Sequence, residues 1–376
     1  MVRFGKKAAV LTAAGVLAAM TVTGCSSTVD SDKVVATVGG EEITMGVAGF
    51  YARMTQGQYE TYYAQMMGMT AADMWSQAAD EEQTYEEYLK DSILESVENL
   101  YLISQHASEY DVSLTEDERK AITDTAEQFD ADNTEDAKEY AYGYQKDIEK
   151  YLELVTIQNK MDSKMREGVD EEVSDEEAAQ KGMQYVFFSY TATDDSGSST
   201  ELTDEEKEAL KTTAQNLADR VRNGEDISAV ATELGYQASD ATFDSESTTP
   251  NSDLIAAADA LEAEGDVTDP VETDSGIYVA RLTTLLDREA TDQEKETIVE
   301  QRRQDQYDSL LEEWRSAAEI SVNESVWNKL DFEDLGITII TSEEEDTSES
   351  SGEESTEDGT ADGTEDASGT AEDSTE

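Results

Sequence analysis

The sequence predicts an α+β protein whose first part is mainly helical and whose second part contains a small antiparallel sheet with helices. Apolar residues recur at helical spacing between Tyr85 and Tyr110. Between Asp253 and Leu282, an Ala/Leu-rich helical run is followed by a short extended piece, a turn and a strand. A chain of 376 residues is also long enough for two or more domains.

The amino terminus has the pattern of a targeting segment. Arg3, Lys6 and Lys7 precede an apolar stretch at 8–20 that is too short to span a bilayer as a mature helix. The following Val-Thr-Gly-Cys resembles a lipobox, and its Cys25 is the only cysteine, so it cannot form an internal disulfide. We therefore predict a lipoprotein signal peptide at 1–24, lipidation of Cys25 and anchoring at the outer face of the cell membrane. An ordinary secreted protein or an uncleaved anchor are the alternatives.

The charge excludes one large class of partner. A formal charge of −63 makes nucleic acid an implausible partner, because phosphate binding depends on clustered Lys and Arg. Acidic faces are usually solvated surfaces, with loose divalent-cation binding as a lesser alternative. Residues 341–376 contain only Glu, Asp, Ser, Thr, Gly and Ala, and they are predicted to be a disordered acidic tail.

After a polar linker at 25–33, the first element is a hairpin. Gly39 and Gly40 separate two β-branched runs, 34–38 and 41–44, and two glycines between such runs indicate a two-residue turn. The pattern becomes helical from Met45.

Residues 46–80 are rich in methionine and aromatic side chains. Methionine is flexible and polarisable, so a surface of this kind could adapt to many unfolded chains. Packing in a helical core explains the same composition equally well. Both interpretations stay open on the sequence alone.

Further helices follow in order. Thr115 can cap a helix with Glu118 completing a capping box, and two polar helical stretches cover 119–168. His106, the only histidine, has no second ligand or nucleophile near it in sequence, which favours a surface or packing role. Ser174 and the acids after it predict a short helix.

The second half begins with a strand at 183–188 and an amphipathic helix at 203–222. Gly265 lies where a helix commonly stops, and Pro270 opens the extended piece before the Asp-Ser-Gly turn at 274–276. One long charged helix is predicted at 291–318, followed by the strand-like Ile-Ser-Val-Asn at 320–323.

Three segments of this half resemble the parvulin-type (PpiC-type) peptidyl-prolyl isomerase domain of PrsA/SurA-type foldases. They are the strand Met-Gln-Tyr-Val-Phe-Phe at 183–188, the junction Asn-Gly-Glu-Asp-Ile at 223–227, and Gly-Asp-Val-Thr-Asp-Pro-Val at 265–271. The Val-Gly-Gly-Glu-Glu-Ile-Thr hairpin at 38–44 is similar to the start of the same foldases. The resemblance implies a SurA N-terminal-like chaperone domain at 34–170, a parvulin-like domain inserted at 181–287, and a C-terminal helix and strand at 288–340 that return to complete the chaperone domain.

The resemblance also indicates a site. Tyr185 and Tyr278 occupy the two positions where parvulins carry histidine, and the domain contains no histidine. Phe187, Leu254 and Asp259 fall where the substrate pocket is expected. No cofactor or metal is implied.

The function that follows is a membrane-anchored extracytoplasmic foldase that assists exported, unfolded polypeptides, with a parvulin-like domain that is weak or inactive as an isomerase. The alternative is an active peptidyl-prolyl cis-trans isomerase that uses Tyr185 and Tyr278 in place of the histidines. A hydrolase is disfavoured because no Ser/His/Asp order, phosphate loop or zinc spacing is present. A solute-binding lipoprotein would show two similar lobes of alternating strands and helices, whereas the amino end here is mainly helical.

Overall fold

The computed structural model of the chain describes residues 19–24, 28–63, 66, 68, 70–80, 82–193, 199–333 and 335–340. The chain divides into two compact units. The first unit combines residues 1–161 with residues 314–376, and the second unit comprises residues 162–313. Helices joined to small antiparallel sheets make up the described residues, which confirms the predicted α+β class.

In the described part of the first unit, strands come first and helices follow. The strands are β1 (Met20–Gly24), β2 (Val34–Val38) and β3 (Glu41–Thr44), and the helices are α1 (Met45–Gln58), α2 (Ala71–Trp75), α3 (Tyr85–His106), α4 (Glu116–Asp132) and α5 (Glu135–Tyr140). Helix α6 (Gln145–Met165) then leads into the second unit. After that unit, the chain returns with β10 (Ile320–Val322), α11 (Glu324–Trp327) and β11 (Leu335–Ile339).

The predicted hairpin is confirmed in β2 and β3. Gly39 and Gly40 have φ of 58° and 84°, the left-handed values that a two-residue hairpin turn requires. Strand β10 pairs with β2 from the other side, so a strand from the end of the chain completes a three-stranded sheet in order β10-β2-β3.

Local signals set the helix boundaries in the first unit. Thr115 accepts the backbone N–H of Glu118, whose side chain reaches back to Thr115, and this confirms the predicted capping box. Thr84 and Glu87 form a second box at the start of α3. The core is aromatic as well as aliphatic: Phe50 is fully buried and packs edge-on against Phe129 with ring centroids 5.5 Å apart.

Strand β1 lies within the segment that the sequence predicts to be a signal peptide. It pairs antiparallel with β11, from Met20 opposite Ile339 to Gly24 opposite Leu335. Met20 is buried, and its backbone N–H donates to Asn133 Oδ1 at 2.9 Å. The sequence did not predict this pairing, which joins residues more than 300 positions apart.

The second unit is built on a four-stranded antiparallel sheet in order β7-β4-β9-β8. Its strands are β4 (Lys181–Ser189), β7 (Ala238–Phe243), β8 (Val271–Glu272) and β9 (Gly276–Thr284), with a small separate hairpin of β5 (Thr191–Thr193) and β6 (Ser199–Glu201). The helices are α7 (Asp204–Arg222), α8 (Ile227–Glu233), α9 (Ser252–Asp259) and α10 (Arg288–Ala317), the last of which runs to the first unit.

One segment of the second unit differs from the sequence prediction. Residues 175–177 form a turn instead of a short helix, although Ser174 Oγ accepts the N–H of Glu177 as a cap would. The carboxylate of Asp175 is paired with Arg288 and Lys295 of α10, and Glu177 pairs with Arg302. This acidic segment therefore contacts α10 through its carboxylates, in a turn conformation and not as a helix.

Candidate functional site

The sheet of the second unit separates two apolar layers. Alternate residues of a strand point to opposite faces, so Val186 and Phe188 of β4 pack with α7 and α8, while Met183, Tyr185 and Phe187 lie on the face covered by α9. On β9, Tyr278 lies on the α9 face as well. The candidate site is on this face.

The two tyrosines that the resemblance selects are neighbours on the sheet. Their ring centroids lie 6.0 Å apart, with the ring planes inclined at 48°. The β4–β9 ladder brings them together, because Tyr278 lies opposite Phe187 and Tyr185 opposite Ala280. Tyr278 is 8% exposed, and Tyr185 is partly exposed.

Phe187 covers Tyr278 in the same layer. Their rings are stacked with centroids 4.4 Å apart and an interplanar angle of 28°. This contact keeps the Tyr278 ring against its cross-strand partner, as aromatic pairs do on a sheet.

The other two residues of the predicted pocket are placed differently. Leu254 is fully buried in the apolar layer with Phe243 and Leu282, so it belongs to the core beneath α9. Asp259 ends α9, and its carboxylate pairs with Lys181 Nζ at 2.9 Å, while its carbonyl oxygen accepts from the same Nζ at 2.8 Å. The Asp259 carboxylate is thus engaged with β4.

The surroundings of Tyr278 favour its neutral phenol. Burial raises the pKa of Tyr278, and the nearby hydroxyl of Tyr185 raises it further. Tyr278 therefore stays protonated at neutral pH. It can donate an O–H hydrogen bond to a polypeptide carbonyl or to an imide nitrogen, but it cannot act as an anionic base or nucleophile.

Sequence reasoning missed Ser239 of β7. In the β4–β7 ladder it lies opposite Tyr185, and it is exposed. Strand alternation places it on the same face as Ala241 and Phe243, which pack in the α9 layer. A Ser among Ala, Asp and Thr in a short polar strand carries no signal that would select it from sequence.

In the first unit, four of the described methionines and aromatics of 46–80 are core residues, and Tyr51 and Tyr59 are partly buried. Phe50, Met54, Met74 and Trp75 are buried. Trp75 stacks with Tyr85 and donates from Nε1 to Glu60 at 2.8 Å. Tyr62 and Met66, 53% and 76% exposed, are the large apolar side chains that the described part of this segment leaves on the surface. Core packing therefore accounts for part of the composition.

His106 has the packing role that the sequence favours. Its ring stacks on Trp314 with centroids 4.2 Å apart and planes 5° from parallel. Nδ1 also lies 2.8 Å from Glu109 Oε1.

Cys25, the predicted lipidation site, and the predicted tail at 341–376 lie outside the described residues. None of the described helices has both the length and the apolarity that a membrane crossing requires. Within the described ranges, no three His, Cys, Asp or Glu residues are grouped so that they could hold a metal ion.

Two family models match the chain in sequence order. A SurA-like N-terminal domain matches residues 1–143, and a PPIC-type PPIase domain matches residues 191–284. The second match includes Tyr278, Leu254 and Asp259, and it begins after β4, so Tyr185 and Phe187 precede it. A search of curated proteins found no match.

Several solved structures are similar to parts of the chain. The foldase protein PrsA from Streptococcus pneumoniae is 17% identical, with 68% of this chain and 98% of that chain covered and a TM-score of 0.29. A SurA-like chaperone of Campylobacter jejuni is 10% identical, with coverage of 77% and 98% and a TM-score of 0.26. The peptidylprolyl isomerase PrsA from Bacillus cereus is 16% identical, with coverage of 65% and 88% and a TM-score of 0.31.

Proposed function

The chain combines a SurA-like N-terminal domain with a PPIC-type peptidyl-prolyl isomerase domain, and on this basis we propose that it is an extracytoplasmic foldase that binds exported, unfolded polypeptides. The order of the two matches on one chain is the observation that carries the proposal. The lipobox-like sequence before Cys25 supports it independently, since it implies export and a lipid anchor.

The parvulin-like unit is proposed to be weak or inactive as an isomerase. Rotation about an X-Pro bond must overcome a barrier of about 18–20 kcal/mol, so a catalyst has to hold the twisted amide in a shaped, dry pocket. On the α9 face, Phe187 is stacked on Tyr278, Leu254 is buried in the core, and the Asp259 carboxylate is paired with Lys181. A prolyl ring could contact the partly exposed Tyr185, but it would have to displace part of this packed layer before it reached Tyr278.

The alternative is an active isomerase in which tyrosines replace histidines. One observation favours it: the adjacent rings of Tyr185 and Tyr278 present two phenols, and the pKa of Tyr278 is raised so that its O–H remains a donor. A hydrogen bond from such a donor to the imide nitrogen would weaken the amide resonance that opposes rotation.

A prolyl isomerisation assay on short X-Pro peptides distinguishes the two proposals. The chain with Cys25→Ser is compared with the same chain carrying Tyr185→Phe and Tyr278→Phe, which keeps both rings and removes both hydroxyls. The proposal of a weak or inactive unit predicts rates within about twofold of the uncatalysed reaction for both proteins. Isomerisation at least tenfold faster than that, lost in the double variant, would establish the alternative.

The anchor has its own test. Expression with a radiolabelled fatty acid should label the wild-type protein and place it in the membrane fraction. Cys25→Ser should abolish the label and release the protein, while substitution of the neighbouring Ser26 by Ala should leave both unchanged. A label that persists in Cys25→Ser would contradict lipidation at Cys25.

A further inference from the structure

A groove of about 700 Å³ lies in the first unit, between helix α3 and the segment that returns at the end of the chain. Acidic side chains dominate its lining, and they come from both sides: Glu82, Glu87, Asp91, Glu95, Glu98 and Glu324. Lys90 and Arg315 are the two cations that line it. The groove therefore carries a formal charge of −4.

Both cations already have carboxylate partners. Lys90 Nζ lies 3.2 Å from Glu86 and donates to the Leu330 carbonyl at 2.6 Å. Arg315 pairs with Glu98 at 2.5 Å. The remaining five acids of the lining are exposed, and none forms an ion pair within the described ranges. Glu87 accepts from Thr84 in the capping box and Asp91 accepts from Gln83, but no cation of the described residues pairs with these charges.

Metal binding does not explain this cluster. Three or more carboxylates must converge on one point to hold a cation, and no such group exists among the described residues. The acids are instead distributed over the segment before α3, α3 itself and α11, which suits an extended ligand with several positive charges.

An open strand edge lies along the same groove. Strand β10 is at the edge of its sheet, and both Ile320 and Val322 line the groove. Gly39 N–H donates to the Glu319 carbonyl, and Asn323 N–H donates to the Val35 carbonyl. In an antiparallel pair, every second residue directs its backbone N–H and C=O groups to the same neighbour, so every second residue from Glu319 onwards is bonded to β2. The backbone groups of Ile320 and Val322 therefore point away from β2, and the described residues supply no partner for them. An edge of this kind is a template for one more strand.

One further donor is unsatisfied at this place. Trp327 lines the groove, is 2% exposed, and its indole Nε1 has no hydrogen-bond partner among the described residues. A buried N–H without a partner is costly and uncommon, so a ligand carbonyl at this point would be stabilising.

We propose that this groove binds an extended polypeptide segment rich in lysine or arginine, which adds to β10 as a fourth strand. Backbone hydrogen bonds to Ile320 and Val322 supply affinity that is independent of sequence, and the carboxylates select the positive charge. The proposal rests on the proposed foldase function and gives it a client class. The chain's own residues 341–376 contain no Lys or Arg, and charge repulsion excludes them as the occupant.

The test uses the full chain with Cys25→Ser and a fluorescent ten-residue peptide of alternating Val and Lys, with a Val and Glu peptide as the opposite-charge control. Fluorescence anisotropy should detect binding of the Lys peptide, at least tenfold weaker in 0.5 M than in 0.05 M NaCl, and no binding of the Glu peptide. Equal binding of the two peptides, or no binding of either, would overturn the proposal.

Variants locate the binding. Glu95→Lys with Glu324→Lys should weaken Lys-peptide binding at least tenfold. The matched pair Glu127→Lys with Glu205→Lys, which changes the net charge equally at exposed positions that do not line the groove, should change it less than threefold. Equal losses in both pairs would contradict the groove.

Strand addition has a separate readout. Val322→Pro removes an N–H that does not bond to β2, so it should preserve the fold and weaken binding at least fivefold, whereas Val322→Thr should leave binding unchanged. Unaltered binding to Val322→Pro would rule out strand addition at β10.

An aggregation assay separates this proposal from the foldase function. If the wild-type chain suppresses client aggregation but does not bind the Lys peptide, the groove is wrong and the foldase function stands. If it binds the peptide at the groove but suppresses no aggregation, the foldase function fails while the groove remains a peptide site.

Discussion

Asp147 is a carboxylate that the first unit buries without full hydrogen bonding. It is 5% exposed, and its Oδ2 atom has no partner among the described residues. Burial raises the pKa of Asp147 to about 6; Lys146 opposes the shift and Asp32 adds to it. A folded-state pKa above the usual value near 4 means that the folded protein binds this proton more tightly than the unfolded chain does.

The stability of the protein should therefore carry a penalty at Asp147 that grows as the pH rises through about 6. Between pH 5 and pH 8 this penalty increases by about 1 kcal/mol. Asp147→Asn removes the titration, so the variant should gain about 1 kcal/mol relative to wild type over this range. Urea unfolding of both proteins at pH 5 and pH 8 measures the gain, and a stability difference that is the same at both pH values would contradict it.

At the scale of single elements, strand β11 is held from both sides by different groups. On one side, Ile337 N–H donates to Glu60 Oε2 at 2.6 Å and Ile339 N–H donates to Thr61 Oγ1 at 2.9 Å. On the other side β1 is paired, and Ile340 N–H donates to the Ala19 carbonyl at 2.8 Å. Successive backbone N–H groups of a strand point to opposite sides, so the N–H groups of Gly336 and Thr338 point to β1, like that of Ile340.

Removal of residues 1–24 should therefore affect the amides of β11 in an alternating pattern. Hydrogen exchange at Gly336, Thr338 and Ile340 should accelerate at least tenfold, because their acceptors are gone. Ile337 and Ile339 should remain protected by Glu60 and Thr61. Residue-resolved exchange of the full and shortened chains checks this, and equal acceleration of all five amides would show that β11 as a whole depends on β1.

The elements also show which parts of the fold could be predicted from sequence. The hairpin at Gly39 and Gly40 and the capping box of Thr115 and Glu118 were predicted correctly because each signal lies within four residues. Pairing of β1 with β11 was not predicted, since neither strand contains information about a partner so distant in sequence. The segment after Ser174 was predicted to be helical but forms a turn, and its contacts with α10 involve residues more than 100 positions away, which the local sequence does not reveal.

The candidate site, too, could be predicted only in part from the sequence. Strand periodicity predicts which face of a sheet a residue lies on. It does not predict that Tyr185 and Tyr278 are neighbours, because their contact depends on the β4–β9 register, and only the family resemblance selected them as a pair. The burial of Leu254 and the pairing of Asp259 with Lys181 depend on how α9 packs on the sheet, which sequence does not give. Ser239 was missed for the same reason.

At the scale of the whole molecule, the second unit contains its own core. Its two apolar layers are formed entirely by residues between Met183 and Leu282. We therefore expect a fragment of residues 162–313 to fold alone and to unfold cooperatively on heating. Leu254→Ala in this fragment should lower stability by about 2–5 kcal/mol. A fragment without a cooperative transition by circular dichroism would contradict this independence.

The foldase proposal separates client binding from prolyl isomerisation, and one measurement tests that separation most directly. Aggregation of a chemically unfolded client, whose refolding is not limited by proline, is followed by light scattering with the Cys25→Ser chain present. We predict suppression at near-stoichiometric amounts, the same within twofold when Tyr185→Phe and Tyr278→Phe are added. No suppression by the full chain, or suppression that disappears with the two hydroxyls, would contradict the account.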